Sequence, residues 1–208
     1  MPNTTQRAKR TPQADRTALA EERMLEAAVR LMAERGYEKT TLAAIAQAAG
    51  YSRGLPHHHF GSKADLFAEV IRRISRRVDE EFQREVGDRT GLDALLTFVD
   101  GHRRFAERSP EIMRALQVLW FQSLIAESNL RATAIDDLLG HRKQVRQMIQ
   151  EGVEAGNIRD GTDADIEAVQ FCGTLFGLTL QWLIDPDGSP IDEMHRSFKQ
   201  RLVATLSA

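Results

Sequence analysis

The sequence predicts an all-α protein, with an N-terminal three-helix head containing a helix-turn-helix and a C-terminal helical body forming a dimer. Three observations carry this reading. Apolar residues recur at three- and four-residue spacing along the 208-residue chain, with no strand-like alternation, internal repeat or low-complexity tract. Gly, Ser-Pro and Thr signals cut that pattern into helix-sized pieces. Charge is divided unevenly: residues 1–80 hold 14 Lys/Arg against 10 Asp/Glu, and the remainder 14 against 20. A basic head on an acidic body suits a phosphate-bearing partner at one end only.

Residues 1–16 are polar and basic and have no apolar period, which predicts a disordered arm. Arg7, Lys9 and Arg10 could reach phosphates or a minor groove, although a plain solvated tail explains the same composition. Residues 17–62 form the predicted DNA-binding domain. Its first helix, 17–35, has an inner stripe of Met24, Ala27, Ala28, Leu31 and Met32 and ends at Gly36. Leu42, Ile45, Ala46 and Ala49 give a short second helix, capped by Thr40 or Thr41. Gly50 supplies the turn, Ser52 is the expected N-cap of the third helix, and Arg53, His57, His58 and Lys63 make the segment basic. Two short helices joined by a glycine turn describe a helix-turn-helix.

Residues 63–208 form the predicted helical body, for which the family resemblance given below implies ligand binding and dimerisation. Its first helix, 63–85, is capped by Ser62, carries the stripe Leu66, Phe67, Val70, Ile71 and Ile74, and connects head to body. Gly87 and Gly91 break the chain. Helices follow over 93–107, from Ser109-Pro110 through Ile125, and from about 130 to 155. Thr162 is the expected cap of a helix over 163–183, and Ser189-Pro190 opens the last one. The penultimate helix is apolar on most sides, so it must be covered on most sides. One layer is the chain's own core, and Ile166, Val169, Gly173, Phe176, Gly177 and Leu180 suit a second subunit; Met194, Phe198 and Leu202 of the last helix join that interface by the family resemblance given below.

The run Thr40-Thr-Leu-Ala-Ala-Ile-Ala-Gln-Ala-Ala-Gly-Tyr-Ser-Arg-Gly54, followed by His59-Phe-Gly-Ser-Lys63 and preceded by Glu26 to Tyr37, resembles the DNA-binding domain of the TetR/AcrR family of transcriptional regulators. The match covers about the first third of the chain. The resemblance implies a dimer formed through the last two helices, a ligand cavity among the middle and penultimate helices, and double-stranded operator DNA as partner. It also implies DNA contact at position 57 and phosphate contact at 59 and 63. Two residues depart from the family pattern: Pro56 stands where an aliphatic residue is usual, and His57 where tyrosine is usual.

Arg53 is the candidate for reading a base, because its guanidinium can bond a guanine edge in two places. Gly54 allows close backbone approach. Thr41, Ser52, Leu55, His57, His58, His59 and Lys63 complete the expected DNA-binding set. Cavity candidates are Phe98, His102, Phe105, Met113, Gln117, Trp120, Phe121, Phe171 and Leu175, which suit a small, fairly hydrophobic effector. The three consecutive histidines do not form a metal site, since neighbouring helical side chains point about 100° apart and no carboxylate or thiolate completes a set. No metal or other cofactor is expected. No phosphate-cradling glycine loop, nucleophile elbow or His-Glu-x-x-His occurs, which speaks against an enzyme. His102 and His141 lie far apart in the chain and read as structural.

Hydrophobic residues make up 42% and charged ones 28%, no run of 18 apolar residues exists, and Cys172 is the single cysteine. These predict a cytoplasmic protein without a membrane span, export signal or disulfide. The reading is a homodimeric, ligand-responsive transcriptional repressor acting on a near-palindromic operator. The alternative is a helical ligand-binding protein or enzyme whose body acts on a small molecule.

Overall fold

The computed structural model describes residues 13–125 and 129–208. Among them are nine helices and no strand beyond an isolated bridge between Ile158 and Ser207. The head comprises α1 (Gln13–Lys39), α2 (Leu42–Ala48) and α3 (Leu55–Phe60). The connector is α4 (Lys63–Val86), and the body contains α5 (Gly91–Arg108), α6 (Pro110–Ser123), α7 (Asn129–Glu154), α8 (Ala164–Ile184) and α9 (Ile191–Leu206).

Helix α1 begins four residues before the expected start, so residues 13–16 belong to it rather than to an arm. Arg7, Lys9 and Arg10 lie outside the described residues. Gly36 interrupts α1 with φ +74°, a conformation that costs glycine little, and one more helical turn follows. The Thr40 hydroxyl donates to the Gly36 carbonyl at 2.8 Å and is buried, which leaves Thr41 as the cap of α2. Thr41 Oγ1 accepts from the Ala44 amide at 3.1 Å.

Ser52 is not the cap of α3. A turn closes first, with the Leu55 amide donating to the Ser52 carbonyl at 3.0 Å, and Gly54 occupies the N-cap position without a side-chain bond. Pro56 sits in the first turn of α3, where its missing N–H would have no intrahelical partner in any case. Similarly Asp163, not Thr162, caps α8, accepting from the Asp165 and Ile166 amides, while the Thr162 hydroxyl turns back to the Arg159 carbonyl.

The connector follows its sequence pattern. Ser62 accepts from the Asp65 amide at 3.1 Å, and the buried positions 66, 67, 70, 71, 74, 78, 82 and 86 form one stripe along its 24 residues. This stripe passes from the head core, where Tyr37 packs on Phe67 with centroids 5.2 Å apart, into the body core. There a chain of aromatic rings crosses four helices: Phe82 to Phe98 at 4.5 Å, Phe98 to Phe171 at 5.6 Å, and Phe171 to Phe198 at 5.5 Å. Each such pair contributes roughly 0.5–1.5 kcal/mol beyond its burial.

The start of α5 meets the end of α7 at two glycines. A Cβ on Gly152 would lie 2.5 Å from Ile158 Cδ1 and 2.8 Å from Gly91 Cα, so this crossing has no room for a side chain. The head reaches the body by a second route as well: α1 packs along α6, and Arg73 of α4 donates to Glu22 of α1 at 2.7 Å.

Candidate nucleic-acid interface and effector cavity

The turn at Gly50 (φ +81°) sets α3 across the end of α2, and the two short helices rest on α1 and α4 through Ile45, Ala46 and Pro56. The outer surface of this unit holds Thr41, Ser52, Arg53, Gly54, His57 and His58, all exposed, with no acidic side chain between Thr41 and Lys63. Leu55 is half-buried against the core. His59 turns inward instead: its Nδ1 lies 3.1 Å from Glu21 Oε1, and only 12% of its side chain is exposed. Lys63 lies over the Tyr37 ring at 4.1 Å and donates to the Glu38 carbonyl at 3.4 Å. Partial burial lowers its pKa, against the pull of the Glu38 carboxylate. The turn before α3 and the six-residue helix itself therefore present Arg53, His57 and His58 on one exposed surface, while His59 and Lys63 fasten the end of α3 to α1.

In the body a cavity of about 320 Å³ lies between α4, α5, α6, α7 and α8. Of the expected wall residues, Phe98, His102, Phe105, Met113, Gln117, Trp120 and Leu175 line it. Phe121 does not: it is 48% exposed and leans on Phe176 from outside. Phe171 is buried one layer behind, in the aromatic chain between Phe98 and Phe198. Gly173 and Phe176, expected at the subunit interface, also line this cavity.

The polar groups of the cavity were mostly not anticipated. His102 and His141, remote in sequence, share it, together with Ser75, Asp137, Arg142 and Cys172. His195 Nδ1 donates to the Ile191 carbonyl at 2.8 Å, so its Nε2 is free to accept from His102 Nδ1 at 3.3 Å. The Thr179 hydroxyl, 3.5 Å from His102 Nε2, donates to the Leu175 carbonyl at 3.0 Å. This arrangement holds two neutral imidazoles. Burial, then repulsion from His195 and His141, lowers the His102 pKa to about 3, and burial also lowers that of His195.

Across the cavity, the Ser75 hydroxyl donates to Asp137 Oδ1, and His141 stands between Asp137 and Asp79 at 4.0 and 3.8 Å. Burial pushes the Asp137 pKa up, against the opposing influence of His141 and Ser75. With Arg72 donating to Thr133 at 3.0 Å, these contacts make a polar seam between α4 and α7. Burial raises the Cys172 thiol to about 11, against the lowering effect of the Arg142 guanidinium. Among the described residues, no three His, Cys, Asp or Glu side chains gather as a metal site.

The proposed subunit face divides. On α8, Ile166, Val169 and Gly173 are exposed, Phe176, Gly177 and Leu180 are half-exposed, and a Cβ on either glycine would meet no atom within 4 Å. On α9, Met194 is half-exposed, but Phe198 and Leu202 are buried within the chain at 5% and 6% exposure. They belong to a stripe with Ile191, His195 and Leu206 that packs on α5 and α8, so they cannot face a second subunit. The residue that identifies this inward stripe is His195, which the apolar pattern of the sequence passed over.

Comparison with known proteins shows two family matches. The model described as bacterial regulatory proteins, tetR family, matches residues 24–70. That described as BetI-type transcriptional repressor, C-terminal, matches residues 91–207, more than half the chain. The HTH-type transcriptional repressor AcnR of Corynebacterium glutamicum is 29% identical over 155 residues, covering 74% of this chain and 76% of its own. A transcriptional regulator from Saccharomonospora viridis, solved in complex with choline, superposes with a TM-score of 0.81 at 24% identity, over 92% of this chain and 99% of that one. FadR from Bacillus subtilis, in complex with stearoyl-CoA, gives 0.79 at 19% identity, over 88% and 97%. At those identities the two structures speak for the shared fold.

Proposed function

Given that the chain belongs to the tetR family of bacterial regulatory proteins, as a DNA-binding, ligand-responsive transcriptional repressor rather than an enzyme, we propose that it acts in the cytoplasm as a homodimer on a near-palindromic operator. The carrying observation is the exposed grouping of Arg53 and Gly54 in the turn with His57 and His58 on the short helix after it, held from behind by a buried core. Arg53 reads a base edge, and His57 and His58 meet the duplex beside it. Thr41, Ser52 and the end of α3 near Lys63 meet the phosphates.

The exposed apolar face of α8 supports pairing with a second copy. Ile166, Val169 and the two open glycines invite a helix at close range, with Met194 at the edge. Two-fold symmetry then sets the recognition helices one helical turn of DNA apart, about 34–36 Å or a multiple. The cavity takes the effector. A ligand that prefers a body conformation with displaced heads weakens DNA binding by its differential affinity for the two states. Among the described residues, no helix is long and apolar enough to cross a membrane, in keeping with this setting.

The test is a footprint of the purified protein on DNA upstream of its own gene at physiological salt. A protected near-palindrome supports the reading. A folded dimer that protects nothing there and binds all duplexes equally refutes sequence-specific regulation.

A further inference from the structure

The family fold admits ligands as unlike as choline and stearoyl-CoA in the two neighbours described above, so the walls of this chain's own cavity must select its effector. Two polar atoms in those walls lack partners. Arg142 Nε is buried without a hydrogen-bond acceptor, and no carboxylate pairs with the Arg142 guanidinium among the described residues. Gln117 is only 6% exposed; its Nε2 donates to the Phe176 carbonyl at 3.3 Å, whereas its Oε1 accepts from nothing. A buried donor or acceptor left unmade costs about 1–3 kcal/mol, more for a charged group. Native structures rarely keep such groups unless water or a ligand completes them.

Of the remaining polar wall, Asp137 accepts from Ser75 and faces His141, while His102 is bonded to His195. Asp79 Oδ1 is also buried without a hydrogen-bond partner, but it lies outside the cavity lining, 3.8 Å from His141. The rest of the lining is aromatic or aliphatic: Phe98, Phe105, Met113, Trp120, Leu175 and Phe176. One cation awaits an anion and one acceptor awaits a donor in a largely apolar lining.

We propose that the effector is a small aromatic carboxylate, its anionic group received by Arg142 and a hydroxyl or N–H group donated to Gln117 Oε1. A guanidinium pairs with a carboxylate in two parallel bonds, which a point charge cannot reproduce. The volume of about 320 Å³ lies at the small end of ligand pockets and fits one or two rings rather than a long chain. Asp137 argues for the opposite charge, a cation among aromatic walls, but its hydrogen bond from Ser75 and its burial leave it less in need of a partner than Arg142.

The proposal rests on reading the cavity as the effector site, and the experiment separates the two. Calorimetric titration of the full chain uses indole-3-acetate and 3-(4-hydroxyphenyl)propanoate, each with its amide and amine counterpart, and choline as a further cation. The expected result is carboxylate binding at least tenfold tighter than either counterpart, lost in Arg142→Met and partly retained in Arg142→Lys. Preference for amines or choline, or binding by none of the probes, overturns the proposal. So does a carboxylate preference that survives Arg142→Met. If Arg142→Met dissociates the dimer and leaves ligand preference unchanged, Arg142 belongs to the subunit interface and the proposal also falls. Should circular dichroism show Arg142→Met unfolded, Arg142→Gln carries the same comparison. Release of the footprinted duplex is measured in parallel. Carboxylate binding without release refutes the effector role and leaves the ligand class standing, whereas absence of any DNA binding refutes the regulator reading itself.

Discussion

Lowering the pH from 7 to 5 should destabilise this protein through His102, and the size of the effect follows from its surroundings. The ring is half-buried at the cavity wall against Thr179 and His195, and burial lowers its pKa from the usual 6.5 to about 3. A histidine whose folded pKa is depressed stays neutral in the native state while the unfolded chain takes up a proton. Between those two pKa values the unfolded state binds more protons, so stability falls as the pH falls. At pH 5 the loss does not depend on how low the folded value lies, provided it is well under 5. The unfolded group is then about 1.5 units below its own pKa, which at 1.36 kcal/mol per unit is about 2 kcal/mol.

The assay is urea unfolding at pH 7, 6 and 5 for the natural chain and for His102→Gln, whose amide can still donate to His195 Nε2. The natural chain should lose about 2 kcal/mol more than the variant between pH 7 and 5. His195, lowered in the same direction, remains in both proteins and cancels in the difference. Asp137 works oppositely, since its raised folded pKa makes the native state the better proton acceptor as its carboxyl titrates. It also cancels. Parallel curves for the two proteins would refute the neutral histidine pair.

Three further outcomes follow from the placement of side chains. Arg53→Ala should weaken operator binding and relax preference at one base position, a loss of about 1–3 kcal/mol; an unchanged sequence profile in a binding-site selection would remove Arg53 from base readout. Gly177→Arg should fold as a monomer, because no atom of the chain lies within 4 Å of a Cβ there, but should abolish dimers in sedimentation; a variant that remains dimeric would place the interface elsewhere. Phe171→Ala should cost about 3–5 kcal/mol in urea unfolding, since two rings pack on it, while the exposed Phe121→Ala should cost under about 1 kcal/mol. Equal losses would contradict the separation of these two phenylalanines into core and surface.

The head was legible in the sequence because its determinants are local. Gly50 must turn, Arg53 and His57 follow it within a few residues, and Thr41 or Thr40 must cap what lies between. The error at Ser52 is also local: the chain closed a turn with the Ser52 carbonyl, which composition cannot distinguish from use of its hydroxyl. The body was harder to read, because there a residue's role depends on what stands opposite. Asp137, His141 and Arg142 look like a solvated stretch of α7, and only Ser75 and Asp79 on α4, with Cys172 on α8, reveal that this stretch faces inward. Phe198 and Leu202 have the spacing of an interface stripe, yet that spacing is shared by any buried stripe. The choice was made by α5 and α8 closing over them.

Coupling between cavity and head follows from which helices touch both. Helix α3 packs on α2 and α4, so a bound effector must act on it through a longer element. Helix α4 is one: Ile74, Ser75, Val78 and Phe82 line the cavity, and Leu66 and Phe67 of the same helix lie in the head core. Helix α6 is another, with Met113, Leu116, Gln117 and Trp120 on the cavity and α1 packed along it. The connector alone would act as a simple lever, but α1 and α4 are tied by Arg73 and Glu22, so the head moves as one body or that ion pair opens. The pair is about half exposed and contributes little stability. A ligand whose carboxylate meets Arg142 and whose donor meets Gln117 would bridge α7 and α6, so it would engage the α6 route directly, while the polar seam of Ser75, Asp79, Asp137 and His141 ties α7 to α4.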